Sequence, residues 1–523
     1  MNQGRIRTVS NPVLSLFQSM ISIHLKNQDK TLKKLSPKKM EKLTKIIQKI
    51  HESSDYEDKQ HILTHERMEQ NIKKKYASHI PNITNSQSID FTDTKVQHAC
   101  NEIAKDLGIH KFILHGDSIL IESLHKVLAF FRIRKFSQIN PQWGDVLTQF
   151  LYYYLEKKEL QYVSWVSQKE GKDFSVFPIL KKDFKIGLIA DWGTSTDDCK
   201  ELLRSLLQQK VDVVIHLGDI YYAGTIEECT KLTKMMKEVW SEEGKLGKVP
   251  FYSIPGNHDY YSYGYGFYPF VKNINSELGF TDKSYWQTAS YLCLRTIDDE
   301  SWQFLGMDTG ISDYNPVNLY NLVAPKLRDS EVVWHKYQLD KFQGKGKTIL
   351  LSHHQLFSAN AELTRKIPAS VGSDDPIEHY INDNLLKEFS PYFDDVPVWF
   401  WGHEHNLVIF NEFKHRFYNK LSKGRLIGCS GFEEFEKQDP YKKHAPGNEI
   451  TISRNPETHN IVGKLGMSSG CKGLITTPKY YNHGYVIVDL KDSKIRYYQF
   501  PSWGDYCIPK SKQKAELLHS ESL

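Results

Sequence analysis

From about residue 185 onward the sequence predicts an α/β fold. Short buried runs alternate with amphipathic helical stretches, and a turn rich in Asp, Asn or His follows nearly every run. Open α/β sheets place their ligands beyond the carboxyl ends of their strands, which is where these turns fall. The first third reads differently, with helical periodicity and few strand signals. At 523 residues the chain exceeds the size at which one core usually stops growing, so two or more domains are expected.

Taken in order, Ser36-Pro37 supplies an N-cap and an N1 proline, after which Met40, Leu43, Ile46, Ile47 and Ile50 recur on one helical face. Helical patterns return at 96–107, 119–131 and 143–160, and residues 76–95, rich in Ser, Asn, Thr and Pro, read as a linker. Residues 1–180 are thus expected to form a mainly α-helical N-terminal region. Strands follow at 185–190 and 211–217, a helix at 229–240, and a strand at 251–254. Residues 291–296 and 302–307 read as two strands around a polar turn, 331–342 as a helix, and 347–351 and 396–401 as strands. Residues 432–482 look like an irregular insertion, 485–490 and 495–500 form a hairpin, and 504–523 are a C-terminal tail.

Composition removes several classes. No apolar run reaches the roughly 18 residues of a membrane helix. Near the N-terminus the apolar residues from Val13 to Leu25 are interrupted by Ser15, Gln18, Ser19 and Ser22 at helical spacing. That suits an amphipathic helix better than a signal peptide. Seven scattered cysteines without C-x-x-C give no disulfide framework and fit a reducing compartment. The expected location is therefore cytoplasmic, or outside the cell by a route without a classical signal. Residues 1–50 carry eleven Lys and Arg against two Asp and Glu, a net +9, leaving −4 for the rest. A solvated helix face is the simpler reading of that arm; contact with a protein or an anionic membrane is the functional one, and nucleic acid is not the expected partner.

The chemistry sits in five segments: Asp191-Trp192-Gly193, Gly218-Asp219-Ile220-Tyr221-Tyr222, Gly256-Asn257-His258-Asp259, Leu351-Ser352-His353-His354 and Gly402-His403-Glu404-His405. Hydrolysis of a phosphate ester needs a nucleophile made from water, neutralised oxygens and a proton for the leaving group. Two metal ions bridged by a carboxylate supply the first two. Asp219, central in the motif order, is the expected bridge.

The five segments resemble the calcineurin-like metallophosphoesterase superfamily, over about residues 185–430 and the hairpin near 484–500. Gly193 stands where most members carry a histidine, and Tyr222 fits the tyrosine by which the purple acid phosphatase branch replaces it. The resemblance implies a four-layer α/β/β/α metallophosphoesterase sandwich over residues 181–503. It implies Asp191, Asp219, Tyr222 and His405 on one metal and Asp219, Asn257, His353 and His403 on the other. A phenolate favours Fe(III), with divalent Fe, Zn or Mn beside it; without it, two divalent ions are the alternative. The implied reaction is hydrolysis of phosphate monoesters, on small molecules or phosphoproteins, by in-line attack of a metal-bound hydroxide. A phosphodiester or nucleotide remains an alternative substrate. So does a chain that acts mainly through its helical region, with the phosphoesterase fold as a scaffold.

His258 follows the ligand Asn257 too closely to reach the same ion and is expected to protonate the leaving oxygen, with Asp259 tuning it. Strand alternation sends His353 and His354 to opposite sides; the family pattern fits either as the ligand, and the residues that follow favour His353, leaving His354 as a phosphate contact. His216 reads as a hydrogen-bonded core histidine and Asp308 as a turn residue. The run Tyr260 to Tyr268 either packs internally or walls the pocket. Cys199, Cys229 and Cys429 lack a nucleophile's surroundings.

Overall fold

The structure, a computed structural model, describes residue 153 and residues 158–297, 301–315, 324–364, 375–432, 434, 439–467, 481–501 and 514–523. The basic arm, the linker and the helices expected over 36–50, 96–107 and 119–131 lie outside the described residues, as does nearly all of 143–160.

In chain order the strands are β1 (Val176–Leu180), β2 (Lys185–Ile189), β3 (Val213–His216), β4 (Phe251–Ser253), β5 (Leu292–Thr296), β6 (Trp302–Gly306) and β7 (Lys347–Ser352). They continue with β8 (Val398–Trp401), β9 (Leu407–Ile409), β10 (Gly424–Ile427), β11 (His483–Asp489), β12 (Lys494–Phe500) and β13 (Glu516–Ser522). The helices are α1 (Asp197–Gln208), α2 (Ile226–Glu242), α3 (Asn257–Tyr261), α4 (Phe267–Glu277), α5 (Asp329–Phe342) and α6 (Asp383–Phe389).

These strands make two sheets, one ordered β1-β5-β6-β7-β8-β10-β9 and the other β13-β12-β11-β2-β3-β4. The parallel trio β2, β3 and β4 is built as expected of strands that each feed a crossover helix, and the hairpin of β11 and β12 pairs antiparallel against β2. Side-chain alternation then divides the six-stranded sheet. Ile186, Leu188, Val213, Ile215 and Ile254 face inward, toward the face of the other sheet that carries Phe304, Ile349 and Leu351; a Cβ at Gly306 on that face would stand 2.8 Å from Ile254 Cγ2. Ile189, Val214 and Phe251 face outward and pack under Leu206, Trp240 and Phe270 of α1, α2 and α4. Burying each such side chain contributes about 1.5–3 kcal/mol, so register in these strands is firmly set. Trp334 of α5 and Leu385 and Phe389 of α6 cover the other face of the seven-stranded sheet, Phe389 edge-on to Trp399, completing a mixed α/β arrangement of two sheets and flanking helices.

Two expected boundaries move. β1 lies inside the region read as helical and pairs parallel with β5, so the sheet begins before residue 181. The expected tail contains β13, which pairs antiparallel with β12. Within the expected insertion, residues 439–467 form turns and short bridges, Phe410 to Ile452 among them. No helix among the described residues is long and apolar enough to cross a membrane.

Candidate metal centre

Each donor stands at the end of a strand, as the sequence implies. Asp191 follows β2, Asp219 follows β3, Asn257 opens α3 after β4, His353 follows β7, and His403 and His405 follow β8. Asp191, Asp219 and His403 have φ of 53°, 75° and 69°, in the left-handed region. That turns the chain sharply at the strand's last residues, at about 1 kcal/mol or more each. Glu228 braces the second motif: it completes the capping box of α2 with Thr225, and its carboxylate accepts the backbone N–H groups of Tyr222 and Ala223.

Potential ligand atoms gather in two groups, Asp191 with Asp219 and His405, and His353 with His354 and His403, each spanning no more than 4.8 Å. His353 Nδ1 donates to the Leu217 carbonyl at 2.8 Å, which turns Nε2 inward. There it meets Asn257 Oδ1 at 3.2 Å, His403 Nδ1 at 3.2 Å and Asp219 Oδ2 at 3.4 Å. Asn257 is oriented by its own amide, which donates to the Tyr261 hydroxyl at 2.5 Å. A carbonyl oxygen, a carboxylate and two ring nitrogens thus face one another. A cation is what such a donor set fits. In its absence burial opposes a charge on His353, but Asp219 outweighs this and pushes the imidazole up to about 9.

Asp219 joins the groups. Its Oδ1 accepts from the His258 backbone N–H at 3.0 Å, while Oδ2 lies between the Tyr221 hydroxyl at 3.1 Å and His353 Nε2. Burial disfavours its charge, yet the surrounding histidines hold its carboxyl well below the usual range. In the other group Asp191 Oδ1 lies 3.3 Å from His405 Nε2, and Oδ2 accepts the His403 backbone N–H at 2.8 Å.

Four expectations meet a different geometry. The phenol at the carboxylates belongs to Tyr221, one residue before the expected Tyr222. Its hydroxyl lies 2.9 Å from Asp191 Oδ1, 3.1 Å from Asp219 Oδ2 and 3.0 Å from His405 Nε2. Burial and both carboxylates raise its pKa well above the ordinary value, so the group holds its proton. Tyr222 instead presents its carbonyl to His258 Nδ1 at 2.5 Å. Second, Asp259 accepts the N–H groups of Gly256 at 2.8 Å, Asp219 at 2.9 Å and Ile220 at 3.3 Å, so its carboxylate braces the Asp219 loop; it does not tune His258. Third, His353 and His354 do not diverge, because β7 ends at Ser352 and alternation ends with it; their rings lie 4.9 Å apart. Fourth, Gly193 is more than a missing ligand. It pairs with Ile220, and a Cβ there would stand 2.5 Å from the Asp219 carbonyl oxygen, so no histidine fits without moving the second motif.

His258 is neutral by burial, its Nδ1–H committed to Tyr222 and its Nε2 turned toward Asp219 Oδ2 at 3.9 Å. His354 packs on His403, with ring centroids 4.4 Å apart. Its Nδ1 and its backbone N–H both lie 3.0 Å from Thr309 Oγ1, and its Nε2 is 3.3 Å from Asp313 Oδ2. Sequence reasoning gave no role to Tyr221, Thr309 or Asp313, though Tyr221 lay inside a quoted motif, and it held Tyr261 only as part of the aromatic run. His216 is a core histidine, bonded to Ser253 Oγ at 3.0 Å and pushed down to about 3 by burial. Asp308 accepts the Ile311 N–H at 3.0 Å, as a turn residue does, and the Tyr260 hydroxyl at 2.5 Å. Tyr260 and Tyr268 pack internally, whereas Tyr261 stands edge-on to His258 at 4.7 Å. Cys199, Cys229 and Cys429 are buried.

Residues 184–407 match the family model for calcineurin-like phosphoesterase, which supports placing this region in the calcineurin-like metallophosphoesterase superfamily. Members of that superfamily use a binuclear metal centre, and the two donor groups fit one. The chain is 31% identical over 207 residues to a protein of Arcobacter nitrofigilis named "Probable glycerophosphodiester phosphodiesterase GpdQ". That match covers 38% of this chain and 59% of the relative, so the chain spans about three fifths of its length. Among solved structures, a dimetal phosphatase from Danio rerio is 11% identical, with a TM-score of 0.34, covering 64% of this chain and 98% of that one. A protein from Thermus thermophilus is 8% identical, with a TM-score of 0.26, covering 64% and 99%.

Proposed function

We propose that the chain is a binuclear metal-dependent phosphoesterase, with phosphate monoesters as its first substrate class. The supporting observation is the convergence, from strand ends of both sheets, of two donor groups that share the Asp219 carboxylate. Asp191, Asp219 and His405 would hold one ion with a tyrosine oxygen beside them, and Asp219, Asn257, His353 and His403 the other. Bound there, two ions would neutralise the phosphate oxygens and polarise a water. His258, its Nδ1 held by the Tyr222 carbonyl and its Nε2 turned toward Asp219 Oδ2, would pass a proton from Nε2 to the leaving oxygen. Buried Tyr221, Tyr261 and Phe432 form an apolar wall that keeps bulk water from that proton.

A phenolate ligand selects a trivalent ion, so Fe(III) with Fe, Zn or Mn and the purple acid phosphatase-like branch belong to this reading. The test is a visible spectrum and metal analysis of protein prepared with iron supplied. A tyrosinate-to-Fe(III) band lost in Tyr221→Phe and kept in Tyr222→Phe is expected. Loss only in Tyr222→Phe returns the ligand role to that residue, and two divalent ions with no band remove the iron reading. Phosphodiesters are the second substrate class, favoured by the printed name of the Arcobacter relative. Metal-loaded protein that turned over neither ester class would sink the proposal.

A further inference from the structure

Asp313 has no part in the ligand set, yet it stands at the centre. It follows β6 in a short turn and offers a half-exposed carboxylate, 47% accessible, to the Nε2 of a histidine that is itself 2% accessible. The charges of Asp219 and His353 both reach it. The histidine between them, His354, is fixed from both sides. Thr309 Oγ1 accepts the His354 backbone N–H, so its own hydrogen is free to point at Nδ1; the ring then carries its proton on Nε2 and donates it to Asp313. A half-exposed carboxylate is therefore held in place beside the buried His354 ring, which itself packs on His403.

We propose that Asp313 is a specificity-determining residue that handicaps dianionic monoesters relative to monoanionic diesters. This rests on the phosphoesterase reading above. Fixed negative charge there repels each unit of substrate charge, so a dianion loses about twice what a monoanion loses. At the effective dielectric of a partly solvated site, one extra unit charge is worth about tenfold in rate. The carboxylate also takes up the His354 Nε2–H that a third phosphate oxygen would otherwise accept.

The experiment compares kcat/KM of the metal-loaded full chain for para-nitrophenyl phosphate and bis(para-nitrophenyl) phosphate at about pH 8, where the carboxylate and the monoester are fully ionised. Asp313→Asn should raise the monoester-to-diester ratio about tenfold, and Asp313→Ser, which removes the charge without a group that reaches His354, should move it the same way. The gain should shrink as ionic strength rises from about 0.01 M to about 0.15 M. A parallel fall for both esters, with the ratio unchanged, would mean that Asp313 only braces His354 and would overturn the assignment while leaving the phosphoesterase reading intact. Turnover of neither ester by the parent protein overturns both.

Discussion

Replacing Glu521 with Gln should cost the folded protein about 3 kcal/mol. Arg425 of β10 is 4% accessible at its side chain and is charged in a region that excludes water. Its Nη2 and Nε reach the two oxygens of Glu521 on β13 at 2.6 and 2.7 Å, and Tyr497 donates to the same carboxylate at 2.5 Å. This one pair ties the last strand of the six-stranded sheet to the body of the seven-stranded sheet. Breaking a buried pair by removing one partner typically costs 3–5 kcal/mol, because the other charge is left uncompensated. Two features place Glu521→Gln at the lower end: Arg425 keeps the carbonyls of Phe410 and Gly424, and Glu521 is 16% accessible, so water reaches it. In urea the midpoint should fall with the slope unchanged, and Tm should drop by about 6 °C. The sign with pH is also set. Burial works against the Glu521 charge, but the Arg425 hydrogen bond outweighs it and holds the carboxyl below its ordinary value. The advantage over Glu521→Gln is therefore full above the unfolded pKa of about 4.3 and disappears as pH falls through the lower folded value. A loss under about 1 kcal/mol at neutral pH would refute the reasoning, since the pair would then behave as an exposed one.

Tyr261→Phe removes the acceptor that orients the Asn257 amide, and should weaken metal binding by about ten- to a hundredfold in a metal titration; unchanged affinity would show that the amide holds its orientation unaided. His258→Ala should lower kcat by about a hundredfold or more while the metal content of the purified protein stays at the parent level. Full kcat across the pH range would end the proton role.

The sequence displayed most of the sheet and donor framework because the two coincide: β2, β3, β7 and β8 are apolar runs, and Asp191, Asp219, His353 and His403 follow soon after their ends. What it hid falls at edges and between neighbours. β1 contains Pro178, which reads as a breaker and is tolerated because β1 is an edge strand. β13 is polar along much of its length and looks like a tail, yet its outer position asks for no continuous apolar run. Tyr221 and Tyr222 are chemically identical side by side, and only the backbone decides which ring reaches the carboxylates. Asp259 shows the reverse error: adjacency to His258 suggested contact, but three backbone N–H groups capture the carboxylate first. Asp313 carried no motif at all, and only the chain's return past β6 brings it to His354.

The donors come from opposite sides of the inner core. Asp191, Asp219 and Asn257 ride on the six-stranded sheet, and His353, His403 and His405 on the seven-stranded one. The distance from Asp219 Oδ2 to His353 Nε2 is therefore a caliper reading across the joint between the sheets. Anything that thickens or thins that joint, even a methyl group added at Gly306, where a Cβ would stand 2.8 Å from Ile254 Cγ2, changes the gap that the ions must span. Packing in the core and spacing at the centre are one quantity measured at two places.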